Sequence, residues 1–421
     1  MLSTEDNKRL TQVSAGTPMG ELLRRYWMPI AAVDEFALTT IKKVRLMGED
    51  LVLYRDRSGT FGLVDRHCAH RRADMSYGYI EDCGLRCNYH GWLYDETGRC
   101  LSQPYEDIAN PEANFKDKVR IKSYPVEVLG DIVWAYLGPE PAPLVPDWEP
   151  FHFENGFRQI VFADVPCNWF QCQENSIDPV HFEWLHLNWS ERLKGEGGPN
   201  SPPHLKLAFE EVEYGHIYKR LREGMAEDHP LWSVGRVCLW PNALFTGTHF
   251  EWRVPVDDEN TLSVTWAFTK VPEDCEPYVQ EGTIPSWHGP VRETDSDRWI
   301  TSHVMNQDFA AWAGQGTVGD RTGEHLASSD EGILMLRKRF MDDMDRVSRG
   351  EDPKAVIRDP DVNRSVRLPV ADRKAVEESF SREAMLNHPF FRGGLIDGYP
   401  FQKGQPDAIR ADYEKAMGIK S

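Results

Sequence analysis

Short apolar and polar runs alternate between about positions 40 and 138. Val44-Arg45-Leu46 and Leu51-Val52-Leu53-Tyr54 lead into turn residues at Asp56-Arg57-Ser58-Gly59 and a further apolar run, Phe61-Gly62-Leu63-Val64. This is the pattern of short strands joined by tight turns. Val126–Leu129 and Ile132–Tyr136 close the β-rich stretch. Residues 1 to about 37 read as helical, with Pro18-Met19-Gly20-Glu21-Leu22-Leu23 leading into Arg24-Arg25-Tyr26-Trp27. After the β-rich stretch, Pro139-Glu140-Pro141-Ala142-Pro143-Leu144-Val145-Pro146 reads as an interdomain linker. Farther on, residues 234–240, 243–254 and 261–270 predict antiparallel strands, the last two joined over Asp257-Asp258-Glu259-Asn260. Ser328-Ser329-Asp330-Glu331 has capping-box spacing. It precedes Ile333, Leu336, Phe340, Met344 and Val347, which recur at helical intervals. No internal repeat and no dinucleotide fingerprint is present. Lys194-Gly195-Glu196-Gly197-Gly198-Pro199 lacks the preceding strand such a site needs and reads as a flexible loop.

Composition narrows the class. A chain of 421 residues exceeds one ordinary core and predicts two domains. With 40% hydrophobic residues and 14 Trp it can bury sizeable cores. A formal net charge of −19 argues against nucleic acid, which needs Lys and Arg in excess, and suits a basic protein partner. The first residues, MLSTEDNKRL, carry no apolar signal-peptide core, and no run of about eighteen apolar residues occurs. A soluble, cytoplasmic protein without a membrane anchor is expected. Eight Cys in a chain this long do not make a disulfide scaffold, so thiols kept for metal chemistry are expected.

Two constellations carry that chemistry. In the first, Cys68-Ala69-His70 is followed after sixteen residues by Cys87-Asn88-Tyr89-His90. Each half pairs one thiolate with one imidazole. Two thiolates on one iron and two neutral imidazoles on the other make a Rieske [2Fe–2S] cluster, whose potential lies above that of an all-cysteine cluster. Zinc is the bland alternative, but the single-residue gap in Cys68-Ala69-His70 is cramped for one tetrahedral ion. Cys83 matches no ligand position. Cys167, Cys172, Cys238 and Cys275 read as small buried hydrophobes.

The second constellation is Glu174-Asn175-Ser176-Ile177-Asp178-Pro179-Val180-His181-Phe182-Glu183-Trp184-Leu185-His186. Two histidines five apart suggest a non-haem iron(II) site completed by a distant carboxylate. On an ideal α-helix, positions five apart diverge by roughly 140°. Convergence on one ion therefore needs a π-bulge, a kink or compensating rotamers, and Pro179 makes an interruption plausible. Alone, the pair also fits ordinary core or surface histidines, and Asp178 fits a cap for a helix starting at Pro179. Asp308, Asp320, Glu324 and Asp330 are all candidates for the carboxylate, and spacing does not separate them.

Together, Cys68-x-His70…Cys87-x2-His90 and Asn175-x2-Asp178-x2-His181-x4-His186 resemble the α subunit of aromatic-ring Rieske oxygenases. The likeness is greatest to the phthalate dioxygenase-like, homo-oligomeric group that includes O-demethylases of methoxylated aromatics. It covers most of the chain, through Pro18-Met19-Gly20, Arg24-Arg25-x-Trp27, Cys68-Ala69-His70-Arg71-Arg72, Tyr89-His90-Gly91-Trp92, Val254-Pro255-Val256-Asp257-Asp258 and Asn306-Gln307-Asp308. The resemblance implies an α+β architecture in three parts. An N-terminal helical segment, 1–37, would pack on the catalytic domain. A β-rich Rieske domain would span 38–146, and a catalytic domain, 147–421, would hold an antiparallel sheet with flanking helices. His181, His186 and Asp308 would be the iron ligands. Asp178 would bridge to a cluster histidine of the neighbouring subunit, in a homotrimer or hexamer. Residues from about 349 exceed the group's usual length. There, Phe390-Phe391-Arg392 and Tyr399-Pro400-Phe401 would pack on the catalytic domain or cover an interface.

The resemblance also implies a terminal oxygenase. A separate NAD(P)H-dependent reductase, with or without a ferredoxin, would supply electrons, and dioxygen would attack an aromatic substrate. Oxidative O-demethylation of a lignin-derived methoxylated acid is the first expectation, with phthalate-like ring cis-dihydroxylation or hydroxylation next. The rival of another class is a Rieske electron carrier without catalysis. High-potential carriers bridge their cluster loops with a disulfide, and Ala73 and Tyr89 stand at those positions here. A chain with a dead iron site is opposed by the presence of every expected ligand.

Overall fold

The computed structural model describes residues 2–195, 201–387 and 401–419. The strands expected between 41 and 65 form as Ile41–Leu46, Glu49–Arg55 and Phe61–Asp65, joined by Ser123–Tyr124 into a four-stranded sheet. A second four-stranded sheet, Tyr79–Glu81, Gly84–Arg86, Leu93–Tyr94 and Cys100–Ser102, packs against it. Between them lies a small core of Val52, Tyr54, Val64, Met75, Leu85 and Tyr94 that also encloses Cys68 and Cys87.

The N-terminal segment is helical only in part. Thr4–Thr11 and Pro18–Leu23 are helices, and the second packs on the long helix Glu331–Ser348. Trp27–Ala32, expected to continue the helix, is instead a strand. It pairs antiparallel with Ile132–Tyr136, which in turn pairs with Val126–Leu129. All six of its residues are buried, so no alternation betrays it. Pro29, which lacks an N–H for the ladder, sits at the register shift between Pro29 and Ala31 on this edge strand. The proline-rich stretch is strapped down rather than free. The Trp27 indole N–H donates to Pro143 O, and Leu144 N–H donates to Ile357 O.

The larger sheet has eight strands. In spatial order they are His204–Val212, Gly215–Arg222, Arg236–Leu239, Ala243–Phe245, His249–Pro255, Thr261–Lys270, Gly156–Val165 and Ser286–His288. Two expectations need correction. The run 243–254 is two strands, because Thr246-Gly247-Thr248 turns the chain, with Gly247 at φ 105°. The sheet is also not wholly antiparallel: Ser286–His288 joins Gly156–Val165 in parallel. Helix Glu331–Ser348 buries Ile333, Leu336, Phe340, Met344 and Val347 as the periodicity predicts. Its N-terminus is organised by Asp330 rather than by a Ser328–Glu331 box, since the Asp330 carboxylate accepts from Ala327 N–H at 2.8 Å.

The glycine-rich loop expected at 194–199 lies outside the described residues from 196 onward, as do 390–392, Tyr399 and Pro400. The described tail packs on the catalytic sheet. Phe401 lies against His249 with ring centroids 4.6 Å apart, and Tyr413 of the helix Asp407–Ala416 and Met417 just after it join a core with Phe157. Among the described residues, no helix is long and apolar enough to cross a membrane.

Candidate metal centres

The two cysteine–histidine loops are built alike. Cys68 N–H donates to Ala73 O and Arg72 N–H donates to Cys68 O. Cys87 N–H donates to Trp92 O and Gly91 N–H donates to Cys87 O. The fifth residue of each loop takes a left-handed conformation, Arg72 at φ 61° and Gly91 at φ 76°. The thiols are buried, whereas His70 is half-buried and His90 exposed, with their rings 4.4 Å apart. Sulfur therefore lies inward and imidazole outward. The neighbouring Cys87 thiol draws Cys68 down to about 6, against its burial, and Cys68 in turn pushes Cys87 up. His70 Nδ1 is buried without a hydrogen-bond partner. Two neighbouring thiols and two adjacent imidazoles, one with an orphaned ring nitrogen, fit a [2Fe–2S] cluster. Every Cys is free, so no disulfide joins the loops. Cys83 is exposed, and Cys275 is only half-buried, unlike the buried Cys167, Cys172 and Cys238.

Sequence inspection passed over two neighbours of this centre. Trp92 stacks on His70 with centroids 4.3 Å apart, and the Tyr94 hydroxyl lies 3.4 Å from Cys68 Sγ. Both sit just after the second ligand pair, Trp92 in the loop and Tyr94 in the strand Leu93–Tyr94, and neither is a metal-ligating residue type.

At the second centre the helical interruption takes a definite form. His181 opens a π-helix, Phe182–Asn188, in which Trp189 N–H reaches back five residues to Trp184 O. Hydrogen bonds of this span bring a residue and its fifth successor onto one side. His181 and His186 thus face a common point, their rings 5.2 Å apart. Asp308 arrives from helix Val304–Gly314, with Oδ1 3.5 Å from His186 Nε2 and 3.9 Å from His181 Nε2. One ligand atom from each of the three lies within 4.8 Å of the others.

The other candidate carboxylates are occupied elsewhere. Asp320 accepts from Thr322, Glu324 pairs with Arg337, and Asp330 caps its turn. Glu174 is held by Arg321 and Arg337.

Burial pushes Asp308 up to about 7 and lowers His186, so the protein alone stabilises neither charged form. Two imidazoles and a buried carboxylate suit a divalent iron. Gln307, next to Asp308, accepts from His186 Nδ1 at 3.0 Å and leaves Nε2 free toward the common point. Asn175 donates to Asp308 Oδ1 at 3.3 Å. Asp178 lies in the turn before the π-helix. Its Oδ1 accepts from Val180 N–H at 2.8 Å, while Oδ2 stands 3.5 Å from His181 Nδ1. Helical winding starts at His181 rather than Pro179, so Asp178 closes a turn and is not the cap of a helix at Pro179.

These side chains open on a cavity of about 590 Å³. Its inner wall carries Phe182, Arg220, Arg222 and His249. Its outer wall comes from the tail, at residues 372–384 and Phe401.

A family profile described as Rieske [2Fe-2S] domain matches residues 26–125. The chain is 58% identical over its whole length to the 5,5'-dehydrodivanillate O-demethylase oxygenase subunit of Sphingobium sp. (strain NBRC 103272 / SYK-6), covering 98% of that protein. The chain belongs to the Rieske non-haem iron oxygenases. This Rieske oxygenase is also 30% identical to the phthalate 4,5-dioxygenase oxygenase subunit of Pseudomonas putida, over 83% of the chain and 88% of that protein. Its fold resembles that of NdmA from Pseudomonas putida CBB5, with a TM-score of 0.54 and 18% identity, over 86% of this chain and 97% of that one. As an oxygenase subunit of a Rieske system it carries a [2Fe–2S] cluster and a mononuclear iron and draws electrons from a separate protein. The electron-carrier rival and the dead-site reading fall with this membership.

Proposed function

We propose that this oxygenase oxidatively removes a methoxy methyl group from an aromatic acid with two linked rings. Full-length identity of 58% to the dehydrodivanillate O-demethylase subunit is the observation that carries the proposal. The pocket supports it. A cavity of about 590 Å³ accommodates a two-ring ligand. Arg220 and Arg222 both lean on the single carboxylate of Glu183, which leaves positive charge to meet a substrate carboxylate. The Arg220 guanidinium also lies over the Phe182 ring at 4.4 Å, which fixes an aromatic wall beside His181.

Cys68 and Cys87 would hold one iron of the cluster, and His70 and His90 the other. His181, His186 and Asp308 would hold the mononuclear iron. When bound, the cluster supplies single electrons and the mononuclear iron supplies open positions for dioxygen. The chain orients these groups: Gln307 fixes the tautomer of His186, and Asn175 aims Asp308. The Asp178 carboxylate, one-third exposed and facing His181, would receive a cluster histidine from the next subunit. That relay requires cyclic assembly, a trimer or two stacked trimers. Exposed Trp184 on the π-helix, and exposed Tyr89 beside His90, supply apolar area for such an interface.

The test supplies the enzyme with a reductase, reduced nicotinamide and labelled dioxygen, and offers methoxylated two-ring acids alongside phthalate. Formaldehyde and an unlabelled new phenol are expected. A doubly labelled cis-diol as the product would refute O-demethylation.

A further inference from the structure

Strand His249–Pro255 buries three ionisable side chains on one face. His249 is 5% exposed, Glu251 4% and Arg253 1%. They form a continuous chain. Arg253 Nη2 donates to Glu251 Oε2 at 2.7 Å, and Glu251 Oε1 meets His249 Nε2 at 2.7 Å. His249 Nδ1 lies 2.9 Å from Thr246 Oγ1 and 3.1 Å from Thr248 Oγ1. A buried arginine–carboxylate pair extended by a histidine is a poor way to stabilise a sheet, since well-packed apolar residues do as well or better. This chain instead ends on hydroxyls that line the iron-side cavity.

The reaction has a demand that nothing described so far meets. An aryl methyl ether, one dioxygen, two electrons and two protons give a phenol, formaldehyde and water. One oxygen atom enters a methyl C–H bond. The bond between the aryl oxygen and the methylene carbon then breaks, and the hydroxyl proton ends on the aryl oxygen. The other oxygen atom leaves as water with the two protons. The reductase supplies electrons, but the protons must enter the pocket. Among its described lining residues, the histidines are His181, His186 and His249. The first two face Asp308. The inner carboxylates Glu183 and Glu251 are each held ionised by arginine. Imidazole is the side chain whose ordinary pKa lets it carry protons near neutrality.

We propose that His249, oriented by Glu251 and opening on the cavity through the Thr246 and Thr248 hydroxyls, is the proton-delivery residue of this oxygenase. The inference rests on the oxygenase chemistry proposed above. Ring dihydroxylation would consume the same two protons.

The test uses the holoenzyme with His249→Gln and, separately, Thr246→Val/Thr248→Val. Metal content and substrate affinity, read by iron analysis and binding titration, should match wild type. Product formed with reductase and dioxygen should fall about 100-fold, the scale of a lost acid–base group. Hydrogen peroxide brings oxygen, electrons and protons together, so peroxide-driven product should stay at the wild-type level. Wild-type coupled turnover in both variants would overturn the proposal. So would equal loss of peroxide-driven product or of substrate affinity, because His249 would then hold substrate or structure. If wild type gives a ring diol in place of formaldehyde, the O-demethylase reading falls, and the same comparison is made on the diol.

Discussion

Gln307→Leu isolates the support of the iron site from its ligands. The Gln307 side chain, 2% exposed, accepts from His186 Nδ1 at 3.0 Å and donates to Ser190 Oγ at 2.9 Å and Thr301 O at 3.0 Å. Leucine fills similar space but makes none of these bonds. The His186 ring loses the acceptor that fixes its tautomer, and loss of such a partner costs about 10- to 100-fold in metal affinity. That corresponds to about 1.4–2.7 kcal/mol of binding. The orphaned His186 N–H and Thr301 carbonyl each add roughly 1–3 kcal/mol of destabilisation. Mononuclear iron affinity is measured by competition with a ferrous chelator, with the cluster's visible absorption as internal standard. An iron dissociation constant equal to wild type would refute the role given to Gln307 and weaken the placement of iron at His186.

Further predictions test the other assignments. His181→Ala or His186→Ala should lose mononuclear iron and turnover but keep the cluster spectrum, whereas Asp308→Ala should retain some iron on the two imidazoles; metal analysis decides. Cys87→Ser should abolish the reduced cluster's rhombic resonance and Cys83→Ser should leave it intact; an unchanged signal in Cys87→Ser removes that residue from the ligand set. Asp178→Asn keeps the acceptor for Val180 N–H and both metal centres, yet should stop reoxidation of a pre-reduced cluster in single turnover; wild-type kinetics would leave Asp178 as a turn residue only. Glu35 is pushed up by burial, but His288 and Lys42 outweigh this and hold it at about 2, against an ordinary value of 4.5. Its folded pKa is depressed, so its contribution is complete above about pH 4.5 and is lost as pH falls toward 2. Glu35→Gln should cost roughly 1–3 kcal/mol in urea at pH 7, with the gap to wild type narrowing below pH 4.5.

Much of this arrangement was legible from residue spacing, and the failures have physical causes. The strands at 49–65 read as short apolar runs bounded by a turn because both faces are covered: Leu51, Leu53 and Leu63 join the main core, and Val52, Tyr54 and Val64 the small one. Trp27–Ala32 is covered on both faces, so periodicity could not tell strand from helix, and only Pro29 hinted at an edge. For His181 and His186 to share one ion, their five-residue gap calls for a π-bulge, a kink or compensating rotamers, and the chain answers with a π-helix. The choice among four carboxylates depended on which were already bonded, a tertiary property. His249, Glu251 and Arg253 stand at alternate positions of the predicted strand 243–254, a pattern that marks a strand without saying which face is buried. Only the tertiary fold turns that ionisable face inward.

The cavity draws its two sides from distant stretches of chain. The proposed iron ligands lie at 181–186 and Asp308, while the outer wall belongs to 372–384 and Phe401. That outer wall is pinned to the scaffold by Arg236 on Asp372, Arg373 on Glu149 and Arg382 on Asp274. Shape selection and reactivity are thereby inherited separately. Mutations accumulating near the end of the chain can change which molecule enters while the iron keeps its surroundings, and a library confined to 372–384 would explore substrate range at constant metal content.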